Sequence, residues 1–512
     1  MNTLVPSRRA PSLRRALTQG VDALAANRSA LFLTLLAFAG LLRCINLGDW
    51  NYEVDDQYFS LVGHRMLAGD ILYVDIFDRK GPALYLTYMV LAGIWGSVIS
   101  YQLAGTLCVA LAAYGIARIA ALLVGAGEGL VAGAVYCALV VAYGGANGQT
   151  PVFYNPLMVA CAWCIITRLD LLRAGKIDSR VMTGFACAGL ALTFKMSAAI
   201  EGCYFGLFAL ALMFRSGVPL RRTLARGVLL CLLGLLPMLG ATAWYWAAGY
   251  FPEFWQALVT SNFDRAYPPT GERLGRILIF ARYMAAPLLL AVWGWSSIKQ
   301  RNEADAAATF MLGWLITANL AVLVFPTIYT HYLLPILPPL CICAAGVFRD
   351  ARKGLPLAVA ISAAFIWSSG ELNIVHRAES RAESERLVSY LQEETPNHRL
   401  LVWGFPSYLY VLVGAKPPSV LAFPPHLFDA PEAGSSGHDE VAEVRKILAQ
   451  RPEAIVVQEP LPAGPVNLHT TALVDAYLRS CRRMRSFTLL DHSGPQMQRV
   501  YSRCSDPKQS EA

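Results

Sequence analysis

Two adjacent carboxylates, Asp55 and Asp56, stand just after the first apolar run of the chain, in Val-Asp-Asp-Gln-Tyr. His64, Arg65 and Asp70 follow. Then come Asp75, Asp78, Arg79 and Lys80, the last directly before Gly81-Pro82. From Asp55 to Lys80 the stretch holds five aspartates and three permanent cations. A carboxylate can take up a proton, and lysine or arginine can hold an anion such as a phosphate. Charge at a membrane boundary is costly unless it is solvated or used. A solvated loop with surface ion pairs is the plain alternative.

The elements that must carry these residues are membrane helices. The chain has 512 residues, 55% of them hydrophobic and 15% charged, and the apolar ones come in blocks. Soluble domains run at roughly 45–50% apolar. A spanning helix needs about 20 apolar residues. Candidate segments lie near 30–47, 82–99, 101–124, 129–145, 154–172, 181–197, 198–214, 227–249, 275–298, 306–325, 331–348 and 355–370. The net charge of +8 comes from clusters between them: Arg8 to Arg15; Arg168, Arg173, Lys176 and Arg180; Arg215, Arg221, Arg222 and Arg226; Lys299 and Arg301; Arg349, Arg352 and Lys353. That is a positive-inside pattern, not a nucleic-acid-binding face.

With every cluster on the cytoplasmic side, an even number of crossings separates any two. Five candidates lie between Arg15 and Arg168, so one does not cross. Segment 82–99, opening at Gly81-Pro82 and containing Gly93 and Gly96, is assigned to a re-entrant or interface-lying helix. The apolar stretch between Arg180 and Arg215 becomes a hairpin with Lys195 and Glu201 at its outer turn. The expected fold is therefore mainly α: a polytopic helical bundle of about eleven spans, N-terminus inside, with a small extracytoplasmic α/β domain. Residues 1–29 read as a cytoplasmic tail, 30–370 as the membrane domain with a long first outer loop at 48–100, 371–504 as the soluble domain and 505–512 as a tail. The first apolar run lacks a small-residue cleavage site and reads as a signal anchor.

Within the soluble domain, 376–395 alternates charges at helical spacing and reads as a solvated helix. Strands are expected at 399–403, 454–458, 485–491 and 497–502, and helices at 438–450 and 470–483. Cys481 and Cys504 can pair if the domain faces an oxidising compartment. The Cys161/Cys164 pair lies in an apolar helix with no partner pair and is discounted as a metal site.

The run D-D-x8-R-M-L-x-G-D from Asp55 to Asp70, followed by Y-x-D-x4-K-G-P from Tyr73 to Pro82, resembles the first-loop signature of GT-C-fold membrane glycosyltransferases. It is most similar to the family-39-like group of protein O-mannosyltransferases and lipid A aminoarabinose transferases. There an Asp-Glu pair precedes a Met-Leu-x-x-Gly-Asp segment, and Lys-Pro-Pro opens an interface helix. Asp55 and Asp56 fall at the acidic pair and Lys80 at the lysine. Lys195, in Leu-Thr-Phe-Lys-Met, resembles the family's Thr-Lys-Gly turn. Two positions depart: Gly81-Pro82 replaces Pro-Pro, and His64 stands where the aminoarabinose group usually has arginine.

The resemblance implies transfer of a sugar from a polyprenyl-phosphate carrier to a glycolipid, polysaccharide or protein acceptor at the outer face, usually with inversion. It implies Asp55 as general base, with Asp56 the next candidate, and Lys80 on the lipid phosphate. Arg65, Lys195 and Arg265 are then candidates for further phosphate contacts. His64, Tyr58, Asn147, Tyr329 and His331 are candidates to line the substrate site. No cofactor is implied. A divalent metal is not supported, because no acidic residue occurs in the second outer loop, between Glu128 and Asp170. The aromatics of 250–271 form either an interface belt or a groove for the polyprenyl chain. The expected setting is the inner (plasma) membrane. A transporter for polyprenyl-linked glycans and a non-catalytic envelope assembly factor remain as rivals.

Overall fold

The computed structural model describes residues 13–300, 305–325, 328–349, 353–461, 465–491 and 494–504. Its helices run α1 Leu13–Ala26, α2 Arg28–Arg43, α3 Val54–Leu67, α4 Pro82–Ile94, α5 Val98–Leu123, α6 Ala126–Ala142, α7 Thr150–Ile166, α8 Leu169–Arg173, α9 Ser179–Phe194, α10 Ala198–Arg215 and α11 Leu220–Ala247. After α11 come α12 Phe251–Trp255, α13 Ser261–Phe263, α14 Thr270–Lys299, α15 Asp305–Val322, α16 Leu337–Ala344, α17 Gly354–Ser369 and α18 Ile374–Glu394. Among the described residues six helices are long and apolar enough to cross a membrane, and six shorter apolar helices accompany them. This is a multi-pass membrane bundle. On α11, Leu224, Val228, Leu232, Leu236 and Leu239 are all exposed, a stripe that only lipid can cover favourably.

The loops that carry three of the positive clusters lie together at one end of the bundle. Arg168, Asp170 and Arg173 line a cavity with Ala306 and Ala307, and Gly175 lies against Val218. Arg8 and Arg9 of the first cluster, with Arg301 and Arg352, lie outside the described residues, as do Pro326 of the last outer turn and the 505–512 tail.

Several elements differ from expectation. The 48–100 stretch is not an open loop: α3 occupies its middle, with Asp55 and Asp56 in its first turn, where carboxylates favour a helix start. Residues 13–26 of the expected tail are helical. The 331–348 segment breaks into a 3-10 turn, Thr330–Ile336, and the short α16, because Pro335, Pro338 and Pro339 withhold backbone donors. Helix α4 has 13 residues, about 20 Å at the usual rise and short of a roughly 30 Å hydrocarbon core. It buries Leu84, Tyr85 and Tyr88 and exposes Leu86, Val90 and Ile94.

The C-terminal domain is a four-stranded sheet in the order β1-β2-β4-β3. Its strands are β1 Leu400–Trp403, β2 Ala454–Gln458, β3 Cys481–Asp491 and β4 Gly494–Cys504. β1 and β2 are parallel, Val402 opposite Val456; β4 runs antiparallel to both β2 and β3. Residues 481–483 belong to β3, not to the preceding helix, because the hairpin pairs Cys481 with Cys504. A disulfide joins these two cysteines.

Helix α18 is not the solvated helix its charges suggest. Arg377, Ser380, Ser384, Leu387 and Leu391 are buried. Arg377 Nη1 donates to Asp49 Oδ2 at 3.0 Å and Ser380 Oγ to Asp49 Oδ1 at 2.9 Å. Arg381 caps the Ile45 and Leu47 carbonyls at 3.1 and 3.3 Å. The domain is thereby fastened to the end of α2 and the entry to α3.

Breaking a buried pair by removing one partner costs about 3–5 kcal/mol. The Asp49 side chain is 0% exposed. Arg377→Ala is therefore expected to lower the melting temperature of the purified protein clearly, and Ser380→Ala to lower it much less. Equal, small shifts for both would contradict this anchoring.

Candidate active site

The first and third outer turns meet at Gly81. Its amide donates to the Phe194 carbonyl at 3.2 Å, and a Cβ there would overlap the Thr193 carbonyl oxygen. Only glycine permits so close a backbone approach, which accounts for Gly-Pro after Lys80. The contact sets Lys80, at the entry to α4, beside Lys195, at the end of α9.

Asp55 completes the group. Lys80 Nζ lies 3.6 Å from Asp55 Oδ2 and 3.8 Å from Asp78 Oδ2, and 4.4 Å from the centre of the Phe59 ring. His331 Nε2 lies 3.8 Å from Asp55 Oδ2. Gln149 Nε2 donates to the same oxygen at 3.3 Å. Lys195 Nζ sits 4.0 Å from the Tyr332 ring centre and 4.7 Å from that of Phe325. The Asp55 and Lys80 side chains are 20% and 24% exposed, so the pair is sheltered yet open to an incoming molecule.

Burial works to raise the Asp55 pKa, but Lys80, His331, Gln149 and Lys195 outweigh it and hold the carboxyl below its usual range. Burial opposes the charge on Lys80, yet Asp55 and Asp78 keep it above the ordinary lysine value. Lys195 faces burial and the Lys80 charge together, only partly offset by Asp55, and is pulled down to about 7. The arrangement is an ionised carboxylate beside two cations: one firmly charged, the other poised near neutrality. Such a set can take a proton from one group while holding an anion.

Asp56 stands apart. Its Oδ2 accepts from the Gly148 amide at 2.8 Å. Burial, together with Glu53 and Asp55, pushes its pKa well up. It positions the second outer loop and does not face the lysines. The same loop is held by Arg43, which donates to the Asn147 carbonyl at 2.6 Å and to Thr106 Oγ1 at 3.0 Å and bonds the Gly145 carbonyl. Asn147 is thus a supporting residue, its Oδ1 3.4 Å from Gln102 Nε2.

Arg65 is engaged with Asp70 at 2.8 Å and is not among the groups around Asp55. His64 Nδ1 pairs with the Ser60 carbonyl of its own helix at 2.8 Å. Buried Tyr58 donates to the Phe77 carbonyl at 2.6 Å. Tyr329 stacks on His331 at 5.8 Å between ring centres. Arg265 Nε lies 2.8 Å from Glu432 Oε1 of the C-terminal domain, with the Tyr332 hydroxyl next to its guanidinium. The site residues that sequence reasoning left unassigned are Gln149, Asp78, Tyr332, Arg79 and Glu432. Asp78 and Arg79 lie inside the motif; Glu432 has no local signal at all. Among the described residues no group of three or more His, Cys, Asp or Glu side chains is arranged to hold a metal ion.

No protein-family model and no curated protein sequence matches the chain. In three dimensions it is similar to the crystal structure of ArnT from Cupriavidus metallidurans in the apo state, with a TM-score of 0.62 at 13% identity over 95% of this chain and 98% of that one. The chain has the GT-C fold. Two looser likenesses, each with a TM-score of 0.48, are to the same ArnT bound to undecaprenyl phosphate, at 16% identity over 81% and 78% of the two chains, and to an oligosaccharyltransferase from Archaeoglobus fulgidus in complex with zinc and sulfate, at 11% identity over 84% and 68%.

The two lysines are expected to titrate far apart. With a water-soluble amine reagent, Lys195 should become reactive as pH rises through about 7, and Lys80 only in the strongly alkaline range. Equal midpoints above pH 9, roughly where ordinary lysines begin to react, would contradict the placement of Lys195.

Proposed function

We propose that the protein is a membrane glycosyltransferase that moves a sugar, a hexose or pentose, from a polyprenyl-phosphate carrier to a hydroxyl of a glycolipid, polysaccharide or protein acceptor at the outer membrane face. The observation that carries this reading is Asp55 Oδ2 at 3.6 Å from Lys80 Nζ, with Lys195 alongside. The acceptor oxygen attacks the anomeric carbon from the face opposite the phosphate. The bond from that carbon to the phosphate oxygen breaks, and its electron pair leaves with the polyprenyl phosphate. Asp55 takes the acceptor's proton, and the anomeric configuration inverts. Lys80 and Lys195 meet the charge that grows on the leaving phosphate, where fixed cations lower the barrier most.

Three further points support it. ArnT from Cupriavidus metallidurans, whose fold this chain shares, has been crystallised with undecaprenyl phosphate. Lys195 follows α9 at the end opposite Arg180 of the second positive cluster. The Cys481–Cys504 disulfide suits a compartment where disulfides persist. The reading therefore sets the protein in a bacterial inner membrane, N-terminus cytoplasmic and sheet domain periplasmic.

The purified protein is incubated with a panel of polyprenyl-phosphate sugars and a membrane lipid extract, and release of free polyprenyl phosphate is measured. Wild type is expected to release it, and Asp55→Asn to be slower by about 10²-fold or more, the size expected for a general base. Release unaffected by the substitution would remove Asp55 as base. No release with any donor would move the transporter and assembly readings to the front.

A further inference from the structure

Beyond the lysine–aspartate group, a second buried and charged contact joins the C-terminal domain to the loops that carry Arg79 and Arg265. Glu432 is 5% exposed and bridges two arginines. Its Oε2 accepts from Arg79 Nη1, and its Oε1 lies 2.8 Å from Arg265 Nε. His426 Nδ1 stands 3.7 Å from Oε2. Arg79 also bonds Ser435 Oγ. Around it the domain holds both loops by backbone: the Phe77 amide donates to the Val420 carbonyl at 3.0 Å, and the Ala266 amide to the Pro431 carbonyl at 3.4 Å. Gln256 Nε2 reaches the Ser435 carbonyl at 3.4 Å.

Each arginine leads to one of the two lysines. Arg79 adjoins Lys80 in the chain, so fixing its side chain limits where Lys80 Nζ can swing. Arg265 adjoins the Tyr332 hydroxyl, and the Tyr332 ring lies 4.0 Å from Lys195 Nζ. We propose that Glu432 is a positioning residue for the transfer reaction: one carboxylate of the C-terminal domain sets Lys80 through Arg79, and Lys195 through Arg265 and Tyr332. The inference rests on the glycosyltransferase reading and deepens it, since it gives the soluble domain a part in holding the donor phosphate.

The electrostatics agree. Burial would raise the Glu432 pKa, but His426, Arg79 and Arg265 hold it far below the ordinary glutamate value, so the bridge is ionised over the whole working range. Without that charge two guanidiniums, 11% and 17% exposed, would lose the carboxylate that bridges them, and the acid left facing Arg265 is Asp429, whose pKa burial and Glu432 raise to about 6. Uncompensated buried charges reorganise their neighbours, and here the neighbours are the phosphate-binding lysines. A displacement of about 1 Å in such a group can cost about 10²-fold in rate.

The test uses full-length wild type, Glu432→Gln, Glu432→Asp and Asp55→Asn, with kcat/KM for the polyprenyl-phosphate sugar measured from pH 5 to 9. Wild type is expected to lose kcat/KM as pH rises through about 7, as Lys195 loses its proton. Glu432→Gln is expected to lower kcat/KM by about 10- to 100-fold, chiefly through KM, and to move that alkaline limb to lower pH because Arg265 is no longer neutralised. Glu432→Asp should recover part of both. An unchanged kcat/KM and limb in Glu432→Gln, with Asp55→Asn inactive, would overturn this inference and leave the transferase reading standing. A loss of activity that follows loss of thermal stability with the limb unmoved would also overturn it, as a merely structural role. No turnover by wild type with any donor would sink both. If Glu432→Gln does not fold, Arg265→Lys, which keeps the charge and changes the bridge geometry, is read on kcat/KM alone: a fall of about tenfold or more supports the inference, and an unchanged value overturns it.

Discussion

The ion pair between Asp55 and Lys80 is the contact on which this end of the helical bundle is organised. A carboxylate and an ammonium half out of water repay their desolvation only when both are held and each has further partners. The fold supplies these. Asp55 starts α3, Lys80 precedes α4, and the amide of Gly81 is fastened to the end of α9. Gln149 and His331 add contacts from two other outer turns. Side chains from three separate turns thus converge on one oxygen, and a shift in any of them would leave a charge exposed or unpaired.

That convergence also explains the second lysine. Lys195 has no carboxylate of its own at contact distance; it rests against the Tyr332 and Phe325 rings and feels Lys80. Asp55 and Asp78 balance Lys80, which leaves the charge of a protonated Lys195 without a close partner at a sheltered, partly open spot. This is an environment that a phosphate monoester or diester relieves. In the proposed reaction, a phosphate that draws Lys80 away removes the charge that depresses the Asp55 pKa and makes Asp55 a better base. Substrate binding and base strength are thereby linked through one salt bridge.

Much of this was legible in the sequence, for definable reasons. Twelve apolar segments have helical counterparts because hydropathy is a local property. Asp55 and Lys80, which the structure brings within 3.6 Å, stood out in the sequence because charge beside a membrane needs a use and because their spacing resembles a family pattern. How Asp56, Arg65 and His64 are turned was not legible, because sequence says which residues share a loop, not which way a helix turns them: α3 points Asp56 at Gly148 and carries Arg65 to Asp70. Alternating charges made α18 look solvated, although Arg377 and Ser380 are buried against Asp49. Glu432 lies 353 positions beyond Arg79, in a segment of ordinary composition, and only the three-dimensional docking of the soluble domain reveals it.

In the proposed reaction Lys80 holds the carrier phosphate, while Asp55 competes with that phosphate for Lys80 and acts only on the acceptor. The most direct measurement is the affinity for polyprenyl phosphate itself, in detergent or nanodiscs, for wild type, Lys80→Gln and Asp55→Asn. Lys80→Gln should bind at least about tenfold more weakly, the loss of one charge-assisted contact. Asp55→Asn should bind as tightly as wild type or more tightly. If Asp55→Asn weakens binding as much as Lys80→Gln does, the two residues merely support each other's structure and the division of roles is wrong.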